Sequence, residues 1–449
     1  MKIQPVKFLS GGVRLPGDKS ISHRAAILAS MANGETRIEN FGTSADCAST
    51  LNCLGNLGVE IKRESDTVLI SGAGKKNFRK PASELNCGNS GTTMRLLAGV
   101  LAGQNFESNL IGDASLSKRP MRRVIEPLAL MDAKIESKEG SAPLKIYGRN
   151  PLKSVVYEMP VASAQVKSCV LLAGLNAEGV SKIRNPKSEN CVSTSRNHTE
   201  LMLKFLGAEI EDNFVETDGG FVHEISIDGN SSLTARNLNV PSDISSAAFF
   251  IIAAACLENS DIVIENVGLN PTRTAIIEVL RQLGADIKTL NQKEKCNELI
   301  GDLRVRGNEL RVRGNENFTP KIMSNKIEGE VIANLIDEIP ILAIFGTKLE
   351  NGLEIRGAGE LRVKESDRIA AVVENLRRMN ADVEEFTDGF RVGKSRLKGA
   401  RIDSFDDHRI AMAFAIAALF AEGETEIIGA ECAAISFPEF FQVLKQVVK

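Results

Sequence analysis

The sequence has no tryptophan, two tyrosines among its 449 residues, and no pair of cysteines in a C-x-x-C arrangement. So few aromatic side chains argue against a stacking surface for single-stranded nucleic acid. The eight cysteines are scattered, and their spacing fits neither a disulfide framework nor a zinc site. We therefore expect reduced thiols, no metal and a cytoplasmic location.

Long apolar runs and a strong net charge are also missing. The longest runs, Ala247–Leu257 and Ile410–Ala421, span eleven and twelve residues, short of the roughly 20 that cross a bilayer. Residues Met1–Lys7 form no hydrophobic signal region. A formal net charge of −3 gives no general attraction to nucleic acid or to an anionic membrane. We expect neither partner, so any anion site must come from a local cluster of cations.

What the sequence does contain is an internal repeat. A phrase of the type Leu-Gly-Ala-Asp-Ile follows an apolar helical pattern and precedes an alternating, strand-like run. A second phrase marks a strand after another helix. Together they predict an α/β protein of six units, each running strand–helix–strand–helix–strand–strand. Copies of the first phrase recur at roughly 75-residue intervals, with one longer gap, and begin at Leu57, Met131, Leu206, Leu283 and Met379.

The sixth unit lacks its closing strands, whereas the N-terminus has surplus strand-like segments at Lys2–Phe8 and Gly12–Leu15. We infer that these N-terminal strands complete the last unit. One domain then comprises residues 1–19 plus 241–449, and residues 20–240 form an inserted domain of three repeats.

The longer interval between repeat copies contains a tandem duplication. Leu303–Glu309 is repeated without change as Leu310–Glu316. Insertions of this kind are tolerated because the entropy of loop closure rises slowly with length. We interpret the duplication as a solvated hairpin extension in preference to a functional basic patch.

The first helix of each predicted unit begins with small polar or charged residues and is otherwise apolar. Such helices must be buried, with their ends reaching solvent. Helix N-termini carry unpaired N–H groups and the positive end of the dipole. If these ends gather at one face of each domain, two opposed faces would favour a polyanionic ligand. The starts lie at Ser20, Asn89, Ser163, Asp243, Asp337 and Asp407, with Lys19, Arg24, Arg119, Lys364, Arg368 and Arg409 as accompanying cations.

Each of these signals has a structural alternative. For Leu15–Arg24 alone, a Ser N-cap with solvated charges explains the pattern equally well. Lys364, Glu365 and Arg368 lie on a turn that opens a helix, and local ion pairing there contributes only about a few tenths of a kcal/mol. The functional interpretation is an acid–base carboxylate beside cations that fix a phosphate or a carboxylate.

Seven motifs, taken in order, resemble the 5-enolpyruvylshikimate-3-phosphate synthase family, and in particular its second, divergent bacterial class. The resemblance implies a two-domain α/β enolpyruvyl transferase fold, an inverse α/β barrel with three repeats in each domain. It also implies transfer of the enolpyruvyl group of phosphoenolpyruvate to the 5-hydroxyl of shikimate 3-phosphate, releasing phosphate, in chorismate and aromatic amino-acid biosynthesis. The motifs are Lys19–Arg24, Asn89–Arg95, Lys118–Pro120, Ser163–Gln165, Leu361–Arg368, Asp407–Arg409 and Ser436–Pro438.

The resemblance assigns a role to each matching residue. Asp337 would take the proton of the 5-hydroxyl, and Glu365 with Lys19 would manage the proton at the methylene carbon. The family uses no metal or organic cofactor, and we expect a monomer. Shikimate 3-phosphate would be held by Lys19, Ser20, Arg24, Ser163, Gln165, Asp337 and Lys364. Phosphoenolpyruvate would be held by Lys19, Gly91, Arg119, Gln165, Arg368 and Arg409.

The chain departs from the plant and enterobacterial forms of the family at several positions. Those forms have a Lys at Ile435, a Pro at Leu96, an Asn at Glu360 and an aromatic residue near Arg196. One phosphoenolpyruvate contact is therefore missing or supplied elsewhere. In the divergent class, which shares these departures, the response to glyphosate varies. Gly91 leaves room for that inhibitor.

Three rival functions remain in view. The sister enzyme that acts on a UDP-amino sugar uses a catalytic Cys in a Gly-rich loop, but Asp113–Pro120 in the corresponding place has no Cys. RNA 3′-phosphate cyclase, or another nucleic-acid binder, is disfavoured by the net charge and the few aromatics. A non-catalytic anion-binding scaffold would not need Asp337 and Glu365 beside the cations.

Overall fold

The computed structural model describes residues 1–186, 195–217, 220–308 and 325–449. Helices and strands alternate along the chain, and the strands form small sheets. The helices are α1 Lys19–Met31, α2 Ala45–Asn56, α3 Gly91–Ala102, α4 Arg122–Leu130, α5 Ala164–Gly174, α6 His198–Phe205, α7 Ile244–Cys256, α8 Ala275–Gln282, α9 Val331–Leu335, α10 Ile339–Gly346, α11 Arg368–Arg378, α12 His408–Ala418 and α13 Phe440–Val447. Short 3₁₀ helices cover Leu116–Lys118, Gly359–Val363 and Ala430–Ile435.

The strands are mostly short. They are β1 Lys2–Ile3, β2 Ser10–Val13, β3 Asn33–Glu39, β4 Glu60–Glu64, β5 Thr67–Ala73, β6 Leu85–Asn86, β7 Glu107–Ile111, β8 Lys134–Lys138, β9 Ser141–Tyr147, β10 Leu152–Lys153, β11 Val156–Glu158, β12 Ala177–Glu178, β13 Val180–Arg184, β14 Ile210–Thr217, β15 Gly220–Asp228, β16 Leu238–Asn239, β17 Asp261–Gly268, β18 Asp286–Lys295, β19 Glu298–Arg306, β20 Lys326–Ile327, β21 Leu353–Ile355, β22 Val383–Phe386, β23 Gly389–Val392, β24 Arg401–Asp403 and β25 Thr425–Ile428.

Contacts divide the chain into two compact units. The terminal unit comprises Met1–Pro16, Pro241–Glu294 and Leu299–Lys449. The middle unit comprises Gly17–Val240 together with Lys295–Glu298. Each unit has a hydrophobic core of its own.

The middle unit contains three four-stranded sheets, ordered β16-β3-β5-β4, β6-β7-β9-β8 and β11-β13-β15-β14. In each, the first two strands are parallel and the remaining pairs antiparallel. Buried residues of α1, α3 and α5 fill the core. Gly99 of α3 permits a close helix approach, because a Cβ there would lie 2.2 Å from the Cys169 carbonyl oxygen of α5. This close backbone contact fixes α3 and α5 relative to each other, and with them the polar side chains at their starts.

The terminal unit is built from similar parts. Its sheets are ordered β18-β19-β17-β2, β20-β21-β23-β22 and β1-β25-β24. Helices α7, α10 and α12 are buried along nearly their whole length. Buried rings of Phe249, Phe250, Phe437 and Phe440 pack against one another, which seats α13 on α7.

The α/β class and the order of elements predicted from the sequence are confirmed, as in β6–α3–β7–α4–β8–β9. The count of six repeats stays a prediction. The inference about the N-terminal strands was partly wrong. Strand β1 does pair with β25 in the last sheet, but β2 pairs in parallel with β17. Pro5 lies between the two strands and, having no N–H group, cannot donate a ladder hydrogen bond there.

Three helix starts differ from the prediction. The N-cap of α1 is Asp18, whose side chain accepts a hydrogen bond from the Ile21 N–H, so Ser20 is not the cap. Helix α10 begins at Ile339 instead of Asp337, because Pro340 suits the first helical turn. In α3 the cap is Ser90, one residue after the predicted start at Asn89. The side chains of Ser163, Asp243 and Asp407 do cap their helices as predicted.

The seven cysteines in the described residues are free thiols. Cys169 is fully buried, and burial raises its pKa to about 12. Cys191 and the second copy of the tandem duplication lie outside the described residues. Within the described part of the chain, no helix has both the length and the apolar character that a membrane span requires.

Candidate active site

The first helix of the middle unit presents Lys19 at its start. The Lys19 Nζ atom lies 3.0 Å from Oδ2 of Asp46, in the first turn of α2, and both side chains are largely buried. This ion pair ties the starts of α1 and α2 together. Lys19 is therefore held in one direction at the end of a buried helix.

Arg24 lies one turn further along α1 and is only 4% exposed. Its Nη1 donates to the carbonyl oxygen of Ser20 at 3.0 Å, and its other nitrogens donate to hydroxyl groups on α5 and α6. These neutral acceptors orient the guanidinium without neutralising its charge.

A third group lies at the starts of α3 and α5. Gly91 opens α3, and a Cβ there would come within 2.9 Å of Nη1 of Arg95 and 3.6 Å of Nη1 of Arg119. Arg119 Nη2 donates to Oδ1 of Asn89 at 2.8 Å. Arg95 Nη1 donates to Oε1 of Gln165 at 2.6 Å, and Ser163 caps the same helix, α5. The structure thus brings Gly91, Arg119 and Gln165 together, with Arg95 between them.

A chain of buried hydrogen bonds connects the starts of α1, α2 and α3. Nδ1 of His23 lies 2.6 Å from Oγ1 of Thr50, which lies 2.6 Å from Oγ1 of Thr93, which donates to Oγ of Ser90 at 2.8 Å. Burial lowers the pKa of His23 to about 3, and the nearby cation Lys19 acts in the same direction. His23 is therefore a neutral structural link.

Replacing His23 by Asn should make the stability of the protein less sensitive to acid. The unfolded chain binds a proton on this histidine below about pH 6.5, whereas the folded chain excludes it down to about pH 3. Stability of the wild type therefore falls as the pH drops. Between about pH 7 and about pH 5, the unfolding free energy of His23→Asn should gain about 2 kcal/mol relative to wild type.

Urea denaturation at a series of pH values measures this difference. Ser30→Ala, which removes another buried polar group of α1, is the control and should give a curve parallel to wild type. A parallel curve for His23→Asn would show that folding does not lower the pKa of His23.

In the terminal unit, Arg368 is the centre of a charge cluster and is 1% exposed. Its Nε donates to Oδ2 of Asp407 at 2.8 Å, and its Nη2 donates to Oε2 of Glu365 at 2.6 Å. Nη1 lies 3.9 Å from Oδ1 of Asp337. Burial lowers the pKa of Arg368, but the charges of Asp407, Glu365 and Asp337 outweigh it and raise the pKa overall. Arg368 is permanently charged.

Arg409 contacts Asp337 twice. Its Nη1 donates to the Asp337 backbone oxygen at 2.7 Å, and its Nη2 lies 3.8 Å from the carboxylate Oδ2. The Arg409 backbone N–H donates to Oδ1 of Asp407 at 2.9 Å, where α12 begins. Asp337 therefore lies beside both Arg368 and Arg409.

The next residue, Glu338, immediately precedes α10 and connects it to α7 by hydrogen bonds. Its carboxylate accepts a hydrogen bond from the Ser245 hydroxyl, to which Arg273 Nη2 also donates at 2.7 Å. All three side chains are nearly inaccessible to solvent. Helices α7 and α10 are thereby connected at the residue that follows Asp337.

Lys364 lies apart from these contacts. Its Nζ is 3.5 Å from Oε1 of Glu360, one of the positions at which the chain departs from the plant and enterobacterial forms. Ile435 ends the 3₁₀ helix Ala430–Ile435 and is half-buried. Position 435, where the plant and enterobacterial forms have a lysine, therefore supplies no cation in this chain.

Sequence reasoning gave no role to Arg95 or Asp46, and it expected Asp407 to start a helix but not to pair with Arg368. Arg95 and Asp407 lie inside the quoted motifs, and Arg95 follows Gly91 by one helical turn. That spacing is a local signal for a shared helix face. Asp46 carries no such signal, because its partner Lys19 is 27 residues away and the contact depends on how two helices pack.

The two units therefore contribute different chemistry. The middle unit presents guanidinium groups that are oriented by neutral oxygen atoms, an arrangement suited to binding anions. The terminal unit places two partly exposed carboxylates, Asp337 and Glu365, against buried arginines. Carboxylates in such surroundings are suited to moving protons.

Comparisons with known proteins agree with this chemistry. A family model described as EPSP synthase (3-phosphoshikimate 1-carboxyvinyltransferase) matches residues 3–444. The 3-phosphoshikimate 1-carboxyvinyltransferases of Koribacter versatilis (strain Ellin345) and Solibacter usitatus (strain Ellin6076) are 48% and 46% identical to the chain. Both alignments cover 100% of this chain and 99% of the relative. An EPSP synthase structure from Acinetobacter baumannii has a TM-score of 0.85 at 40% identity, covering 100% of this chain and 98% of that one.

The fold and these similarities define a transferase that acts in the shikimate pathway of aromatic biosynthesis. More closely, the chain belongs to the EPSP synthase family. It transfers the enolpyruvyl group of phosphoenolpyruvate to the 5-hydroxyl of shikimate 3-phosphate and releases phosphate. The resemblance noted in the sequence is confirmed.

Proposed function

We propose that the residues assigned from the sequence carry out this reaction in the roles given there. Shikimate 3-phosphate is held by Lys19, Ser20, Arg24, Ser163, Gln165, Asp337 and Lys364. Phosphoenolpyruvate is held by Lys19, Gly91, Arg119, Gln165, Arg368 and Arg409. The observation that supports the proposal most is the position of Asp337, whose carboxylate lies within 4 Å of both Arg368 and Arg409.

In this proposal Asp337 accepts the proton of the 5-hydroxyl as that oxygen attacks phosphoenolpyruvate. Glu365, which Arg368 holds at 2.6 Å, delivers and later removes the proton at the methylene carbon, with Lys19 assisting. Addition places a tetrahedral carbon beside several anionic groups. Arginines fixed before the substrates bind stabilise that charge without reorganising.

We also propose that the enzyme is a cytoplasmic monomer, and that residues 1–19 plus 241–449 and residues 20–240 are its two domains. The family's biosynthetic role and the scattered free cysteines support the location. The contact units described above support the division. Sedimentation velocity at several concentrations would test the monomeric state.

Replacing Arg119 by Gln tests the phosphoenolpyruvate assignment. A hydrogen bond between charged groups contributes about 1.5–3 kcal/mol, so the KM for phosphoenolpyruvate should rise about tenfold to about 100-fold. Shikimate 3-phosphate binding in the absence of phosphoenolpyruvate should be unchanged. Phosphate release with each substrate varied in turn, together with calorimetric titration of shikimate 3-phosphate, gives both quantities.

The control variant is Arg122→Gln, which alters an exposed arginine three residues away and should behave as wild type. A UDP-amino sugar in place of shikimate 3-phosphate should release no phosphate. An unchanged KM for phosphoenolpyruvate in Arg119→Gln would remove Arg119 from that site.

A further inference from the structure

Two hydroxyl groups hold the buried guanidinium of Arg24. Its Nε donates to Oγ1 of Thr199 at 2.7 Å, and its Nη2 donates to Oγ of Ser168 at 2.8 Å. The two hydroxyl oxygens are themselves 2.7 Å apart. Thr199 and Ser168 are each 1% exposed. Neither residue belongs to the motifs that identify the family in this sequence.

The direction of each hydrogen bond in this group can be assigned. A hydroxyl has one proton to donate. The Ser168 proton points to the backbone oxygen of Ala164 at 2.6 Å, so the Ser168 oxygen accepts from both neighbours. Thr199 therefore donates its proton to Ser168, and both oxygens turn their lone pairs towards Arg24. The Ser168 and Thr199 hydroxyls thus form a pair of hydrogen-bond acceptors for a cation.

The two hydroxyl groups fix the plane of the Arg24 guanidinium. Nη1 of Arg24 donates to the Ser20 backbone oxygen at 3.0 Å, so all three nitrogen atoms have an assigned contact. A planar group held at three points cannot rotate about its last side-chain bonds. The directions of its remaining N–H bonds are then set before any substrate binds, which lowers the entropic cost of binding.

Thr199 is itself fixed by its neighbours in the first turn of α6. His198 Nδ1 lies 2.6 Å from Oε1 of Glu298, a residue of the same unit. Glu200 Oε1 lies 2.5 Å from Nζ of Lys167, the residue before Ser168, and that ion pair is almost completely buried. The start of α6 is therefore anchored on both sides of Thr199, and one of these anchors is on α5 beside Ser168.

We propose that Ser168 and Thr199 are positioning residues that aim Arg24 at shikimate 3-phosphate and so determine the affinity for that substrate. The inference rests on the role proposed above for Arg24. It extends that role to two residues that touch Arg24 and have no assigned contact with substrate.

Thr199→Val keeps the shape of the side chain and removes the hydroxyl. We expect the Kd and the KM for shikimate 3-phosphate to rise about tenfold or more. The KM for phosphoenolpyruvate and kcat should stay within about twofold of wild type. Thr199→Ser, which restores the hydroxyl, should bring the affinity back. Calorimetric titration of shikimate 3-phosphate and steady-state phosphate release measure these quantities.

A matched control is Thr36→Val, also in the middle unit. Thr36 is fully buried, and its hydroxyl makes no hydrogen bond with any described residue. This variant should bind shikimate 3-phosphate as wild type does. A double-mutant cycle adds a readout that a purely structural role would not affect: in an Arg24→Ala background, Thr199→Val should weaken binding no further.

Thr199→Val with wild-type affinity, or with the same effect in the Arg24→Ala background, would overturn the positioning role. If Thr199→Val does not fold, Ser168→Ala gives the second test, since it removes the acceptor for Nη2 and for the Thr199 proton but leaves the acceptor for Nε in place. Loss of folding in both variants would overturn the inference in favour of structural hydroxyls. Wild type that does not bind shikimate 3-phosphate would instead overturn the proposed site itself.

Discussion

Replacing Asp337 by Asn should lower kcat about 100-fold or more, because general-base proton transfer contributes about 10²–10⁴ to a rate. Asn has the size of Asp but cannot accept a proton in this role. The fold should survive, since the Asp337 side chain is 20% exposed and Asn keeps its size. Arg409 should also stay in place, because it is held by the Asp337 backbone oxygen at 2.7 Å, which the substitution leaves intact. Phosphate release at saturating concentrations of both substrates measures the effect.

Two further variants show whether the loss is specific. Glu350→Gln removes a carboxylate that is 78% exposed in the same unit and should keep wild-type turnover. Glu365→Gln removes the other proposed proton carrier and should also lose orders of magnitude in kcat. If Asp337→Asn kept half of the wild-type turnover, another group would have to take the 5-hydroxyl proton.

Local signals in the sequence were enough to find most helix starts. Ser163 and Asp407 cap their helices as predicted, and the cap of α3 is Ser90, one residue after the predicted start at Asn89. An N-cap depends on residues within one turn of itself. Buried apolar helices were also predictable from their composition. Local ion pairing, the structural alternative for Lys364, Glu365 and Arg368, is present between the last two of these residues.

The remaining contacts could not be predicted, because they join residues that are far apart in the sequence. Thr199 accepts from Arg24 across 175 positions, and that contact exists only because α1, α5 and α6 pack together. Strand β2 was placed in the wrong sheet for the same reason. Its four residues specify a strand, but its partner β17 lies about 250 positions away, so the choice of sheet depends on tertiary packing.

Arg368 and Asp407 show how the fold maintains a charge in its interior. Asp407 is fully buried, and burial alone would raise its pKa. The positive charge of Arg368 holds that pKa below the ordinary carboxyl value instead. The pair is therefore ionised at neutral pH, and each charge is tolerated because of the other.

Asp407→Asn should destabilise the protein by about 3–5 kcal/mol, the cost of leaving one charge of a buried pair poorly compensated. Asn can still accept from the Arg409 N–H, at present 2.9 Å from Oδ1, so the loss reports the charge and not the helix cap. Because the folded pKa of Asp407 is depressed, its stabilisation is present above the unfolded pKa, about 3.9, and is lost as the pH falls further. The difference from wild type should thus be constant from neutral pH to about pH 5 and shrink below about pH 4.

Urea denaturation of Asp407→Asn and of Asp406→Asn gives the comparison. Asp406 is the exposed neighbour, and its substitution should change the unfolding free energy by no more than about 0.5 kcal/mol. Replacing Arg368 by Met in the Asp407→Asn background should recover part of the lost stability, since the uncompensated charge is removed. It should not recover phosphate release, because Arg368 is proposed to bind phosphoenolpyruvate. Equal stability of Asp407→Asn and wild type would mean that Glu365 and Asp337 suffice to compensate Arg368, and the ion pair with Asp407 would then serve only to orient the guanidinium.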